Sequence, residues 1–234
     1  MVRTEFPNGE LFLPTTPAAV PEAAEVWLSD PLNAALLLLS VVIGVVNLGN
    51  FARIGGTILA CMTRPKMAIE MEHNLQLSRT RGITFLVLFL PFLLVCSRYR
   101  LLDPEIFNGA EGGLYLLELC GTFAAYFLLK HLISILIQPS GLDADSRAAL
   151  RRSHYNFLCI ISILFLLTTG ILAVFGNVSA RLPFYIEAGV IYVVQLSCVA
   201  QILRYRCSSL ATILYLCALE LLPTSALIVS MLIF

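Results

Sequence analysis

Leu210 to Phe234 reads LATILYLCALELLPTSALIVSMLIF, and this stretch decides the fold. At about 1.5 Å per helical residue it is long enough to cross the ~30 Å hydrocarbon core of a bilayer. Its one ionisable side chain, Glu220, falls close to the middle. A carboxylate at that depth is costly unless it is protonated, paired or turned toward a protein or water-filled interior. A lone helix offers no such interior, so the segment predicts further membrane helices around it.

The composition supplies them. Of 234 residues, 59% are hydrophobic and 13% are charged, against roughly 25% charged in soluble domains. Mean hydropathy is +0.87. The expected class is therefore an all-α, polytopic membrane helical bundle and not a soluble domain with an anchor. Formal net charge is zero, which gives no electrostatic case for nucleic acid as a partner. The seven cysteines form no CxxC pair and lie in or beside apolar runs, so they read as soft packing residues and not as disulfides or metal ligands.

Residues 1–30 carry Pro7, Pro14, Pro17 and Pro21, five acids and one base, Arg3. They read as an acidic, proline-containing external tail without the apolar core of a signal peptide. Trp27 suits an anchor at the membrane surface. Residues 31–234 form the transmembrane domain, with about six spans expected at 32–50, 82–97, 113–138, 154–175, 184–203 and 210–234. Ser29-Asp30-Pro31 is a helix start. Ile54–Met62 reads as an extension along the interface, because the run from 31 to 62 is too long for one crossing. Ser40 and Gly44 offer a small-residue face for close helix approach. Helical patterning runs on from Lys66 into the second span, where Pro91 predicts a kink. Asp143 and Asp145 suit the cap of a short helix over Ser146–Arg152.

Basic residues decide the orientation. The tail and the second and fourth loops hold four, whereas the first, third and fifth loops hold ten. The positive-inside rule puts the second set in the cytosol and both termini on the non-cytoplasmic side. An Asn177-Val178-Ser179 sequon falls on the outer side. The two three-span halves share no motif, which argues against an inverted repeat.

Candidate functional residues are mostly intramembrane. Glu220 and Gln195 lie at similar depths on helices joined by a tight turn, so a hydrogen bond between them is expected. Tyr215 is a further neighbour. Such an acid reads either as a proton or cation site or as a polar clamp between helices. Glu118 and Glu187, near the outer ends of their spans, would extend an acidic path if they faced Glu220. In the third span Lys130 reads as snorkelling to the cytosol, and His131 points roughly 100° away around the helix. Arg79, Arg81, Arg152, His154 and Arg204, with His73 and His131, form a basic cytosolic mouth. It reads as topology-setting charge or as a site for a lipid headgroup or other anion. No catalytic constellation, metal-ligand spacing or cofactor motif is expected.

Leu214-Tyr215-Leu216-Cys217-Ala218-Leu219-Glu220-Leu221-Leu222-Pro223 resembles the closing motif of a bacterial integral-membrane family of the Bacteroidota type, domain of unknown function 4271. Arg79, Arg81-Gly82 and His154-Tyr155-Asn156 are compatible with it, over residues 30–234. The resemblance implies a bacterial inner-membrane protein with Tyr215, Glu220 and Pro223 as matched positions, and it implies no activity. The leading expectation is a non-enzymatic subunit or assembly partner of an envelope complex, with membrane lipids and other membrane proteins as partners. The alternatives are a small proton- or cation-linked transporter using Glu220, and an intramembrane lipid-modifying enzyme.

Overall fold

A computed structural model describes residues 27–102, 113–137, 142–175, 181–204 and 207–233. Most of the N-terminal tail, Asp103-Pro104, Pro139-Ser140-Gly141, the Asn177 sequon and Arg206 lie outside these residues. Helix α1 spans Pro31–Val46, α2 Leu48–Thr63, α3 Pro65–His73, α4 Leu75–Arg98, α5 Gly113–Leu136, α6 Ala144–Phe175 and α7 Leu182–Arg204. Helix α8, Ser209–Leu216, passes through a π-helical turn at Cys217–Leu221 into α9, Leu222–Ile233. The described residues contain no strand. Five helices are long and apolar enough to cross a membrane, or six if the bent pair α1–α2 is one span.

Side-chain amides set the early breaks. Asp30 caps α1, its Oδ1 accepting the Leu32 N–H at 3.0 Å, and Pro31 follows in the first turn. The first span is expected to run to residue 50, but α1 ends at Val46 and α2 leaves at 74°. At the break the Asn47 amide donates to the Ile43 carbonyl at 2.9 Å and its Oδ1 accepts from Asn50 at 3.1 Å. These local bonds compete with the helical ladder. The run from Lys66 is also not continuous into the second span. Asn74 is extended, and its Oδ1 accepts the Gln76 and Leu77 N–H groups at 3.1 and 3.2 Å, starting α4 afresh. By contrast, no short helix precedes the fourth span, because no breaker interrupts Ala144–Phe175 and α6 runs unbroken. Helix α4 likewise continues through a buried Pro91. Of the Ser40/Gly44 face, Ser40 is buried, whereas Gly44 has no heavy atom within 4 Å of where a Cβ would stand.

Helices α4 and α6 form the most extensive pair, and α6 also packs on α7 and α3. One apolar cluster joins Phe92, Cys96, Leu119, Phe165 and Phe184, and a second joins Ile54, Met71, Leu88, Phe157 and Ile202. Apolar side chains also cover the outside, among them Leu38, Val46, Val174 and Val193, the all-round apolar pattern of helices in lipid. The two ends of the bundle are polar. At one end Trp27 Nε1–H donates to Ser97 Oγ at 3.2 Å, and Tyr185 O–H donates to the Leu101 carbonyl at 2.9 Å. At the other His73 and Asp145 pair at 3.4 Å. Asn74→Ala removes the acceptor that starts α4 and should cost about 1 kcal/mol. Thermal unfolding of the reconstituted protein should show a lower midpoint, with Asn74→Asp close to wild type.

Candidate functional site

Glu220 sits in the π-helical turn, where the Leu222 N–H reaches back to the Cys217 carbonyl. Pro223 has no N–H to give the Leu219 carbonyl, so the α-helical ladder is already interrupted there. Such turns insert a residue and re-aim side chains, often at functional sites. Here the turn points Glu220 inward, and its side chain is 2% exposed. Two other helices hold it. Lys130 of α5 reaches Glu220 Oε2 at 2.6 Å, and Gln195 of α7 donates to the same oxygen at 2.9 Å. Tyr192 O–H, also on α7, donates to the Glu220 carbonyl at 3.2 Å, and Thr224 Oγ1 donates to it at 2.8 Å.

The expected Gln195–Glu220 hydrogen bond is therefore present. Lys130, however, does not snorkel. Its side chain is 7% exposed and ends on Glu220. The reason is electrostatic: a buried carboxylate and a buried ammonium neutralise each other, and either one alone in hydrocarbon is costly. Both side-chain contacts of Glu220 fall on Oε2, and the residue lines a cavity of 720 Å³. Tyr215 is no polar neighbour of the pair. It packs against the apolar cluster of Leu142, Leu150, Val199, Leu203 and Leu219.

The cavity lies between α5 and α6, which are consecutive in sequence but share few close backbone contacts. Lys130 and Glu220 line its inner part. Arg147 and Arg151, in the first turns of α6, line the part nearest the helix end, with Arg152, His131 and His154. Ala124, Phe127, Leu128 and Tyr155 supply an apolar wall. The His154 ring stacks on Phe127, with centroids 5.8 Å apart. Among the charged groups on the wall, four are permanently cationic and one is anionic, so the site suits an anion better than a cation.

The basic mouth is only partly assembled. Arg81 is buried and lies off the cavity, bound to Glu72 at 2.5 Å. Glu72, 2% exposed, also takes Arg152 at 2.8 Å, and Ser78 Oγ accepts from Arg152 at 3.0 Å. This carboxylate of α3 thus ties α4 to α6. Arg79 and Arg204 are exposed and lie off the cavity. Glu187 accepts from Thr168, and the buried Glu118 Oε2 has no hydrogen-bond partner among the described residues. Among the described residues no group of three or more His, Cys, Asp or Glu side chains could hold a metal ion.

A protein-family model described as "Domain of unknown function (DUF4271)" matches residues 32–231. Comparison with curated proteins and with solved structures gives no match. Lys130→Met should destabilise the protein by about 3–5 kcal/mol, because it strands a buried carboxylate. The double variant Lys130→Met/Glu220→Gln should recover most of that loss. Unfolding of all three proteins in one lipid or detergent system checks both expectations.

Proposed function

We propose, for a chain that belongs to the DUF4271 family, a non-enzymatic membrane carrier that binds an anion in the α5–α6 cavity. The observation that carries this reading is the buried Lys130–Glu220 pair, whose carboxylate lines a cavity with Arg147, Arg151 and Arg152. An anion that reaches Lys130 takes the place of Glu220 as its counter-ion. Glu220 then has no cation beside it in a medium that does not sustain a lone charge, and it takes up a proton. Charge is conserved in the exchange: one anion and one proton enter together, and the interior stays neutral. The groups near the pair are Gln195 and Tyr192 from α7 and Tyr126 from α5, with His131 and His154 on the cavity wall.

The orientation that goes with this reading has six spans, α1–α2 counting as one, with both termini outside and the cavity mouth in the cytosol. Its support is the ten basic residues on one set of loops against four on the other. The setting we propose is a bacterial inner membrane, with lipids and other membrane proteins as neighbours. The second reading is a subunit or assembly partner of an envelope complex, favoured by short connections such as the single residues Asn47, Arg64 and Asn74 between helices. Under that reading the ion pair is a packing clamp.

Native mass spectrometry of the chain gently extracted from its own membrane separates the two. The carrier reading predicts one retained anionic molecule per chain, lost in Lys130→Gln. A stoichiometric protein partner with no retained anion overturns it. Anion binding by the wild type should also tighten as pH falls, because a proton enters with the anion. In Glu220→Gln, which leaves Lys130 without its counter-ion, binding should be tighter and should lose that pH dependence.

A further inference from the structure

Resting on the carrier reading, we infer that the anion is the headgroup of an acidic lipid of the surrounding bilayer, entering sideways between α5 and α6. The cavity is not a closed chamber with only polar walls. Its apolar side is built by Ala124, Phe127 and Leu128, and Leu128 is 71% exposed. Leu128 shares the outer surface of α5 with Leu117, 72% exposed, and Leu132, 53% exposed. One lining residue of the cavity is thus also part of the helix surface that hydrocarbon covers. The cavity between α5 and α6 reaches the outer surface at Leu128, and there an acyl chain can stay in the bilayer.

The charges are placed for the other end of such a molecule. Arg151 is exposed, forms no ion pair among the described residues, and lies seven residues into α6. That puts it about 10 Å from the helix start, at the depth of lipid headgroups. Arg152 beside it is half-exposed and holds Glu72 with one nitrogen. Six residues before the end of α5 comes Lys130, about 9 Å from its own helix end. A phosphate seated first on the exposed Arg151 therefore has a second, buried cation at a similar distance from the same end of the bundle, while its chains stay at the Leu128 side of the cavity. A water-soluble anion would use the arginines and Lys130 but not the apolar wall that opens to lipid. An acidic lipid uses both.

The test is competitive lipid retention by the purified full-length chain, stripped of endogenous lipid. It is offered equal amounts of phosphatidylglycerol and phosphatidylcholine, with and without inorganic phosphate, and read by native mass spectrometry. Preferential retention of one phosphatidylglycerol, unmoved by phosphate, is expected. Arg151→Gln should cut that preference about five-fold, the usual effect of one basic residue on an acidic lipid, and Arg151→Lys should restore most of it. Thermal unfolding confirms that the exposed Arg151 can be changed without loss of fold. Equal retention of both lipids overturns the inference. Displacement of the lipid by phosphate, or phosphate retained in its place, also overturns it but leaves the carrier reading standing with a soluble ligand. Retention that survives Arg151→Gln unchanged assigns the lipid to another surface and overturns it as well.

Discussion

A carboxylate and an ammonium, 2.6 Å apart and almost wholly removed from solvent, set the terms for the rest of this molecule. Neither charge is sustainable alone inside a bilayer, so α5 and the π-helical turn before α9 must meet at one depth. Gln195 and Tyr192 bring α7 to the same point. Three segments of the chain are thereby held in one register. Apolar packing alone specifies register weakly in lipid, where helices gain little by hiding apolar surface from neighbours that are apolar too.

The second charged node shows the same physics nearer to water. Glu72 is buried under two arginines, one itself buried and one half-exposed. It fixes α3 to α4 and α6, while the exposed His73–Asp145 contact adds little beside it. The two nodes meet at Arg152 of α6. Arg152 belongs to both, because it holds Glu72 and also lines the cavity of Lys130 and Glu220. An anion drawn to Arg152 therefore competes with Glu72 just as one drawn to Lys130 competes with Glu220.

The fold class and the long helices are legible in the sequence, because apolar length and low charge leave few alternatives. The Gln195–Glu220 bond is legible for a local reason: a tight turn fixes two adjacent helices antiparallel, and equal distances from that turn give equal depth. Lys130 is not legible in the same way. It stands 90 residues from Glu220, and its closeness to a helix end makes snorkelling the cheaper reading until the rotation of α5 is known. Glu72 is hidden for a similar reason, since its burial arises from α3 folding back under α4 and α6. The breaks at Asn47 and Asn74 depend on single side-chain amides bonding the backbone, which hydropathy does not register. The cavity is invisible to sequence altogether, because it comes from two consecutive helices that stand apart.

Everything proposed for the site depends on Glu220 being ionised and paired with Lys130 when no ligand is bound. Infrared spectroscopy of the reconstituted, ligand-free protein at neutral pH reads this directly, by comparing the carboxyl stretch of wild type and Glu220→Gln. The account predicts no protonated-acid band in the wild type that the substitution removes, and loss of a carboxylate band instead. A protonated-acid band present in the wild type and absent from Glu220→Gln would contradict it.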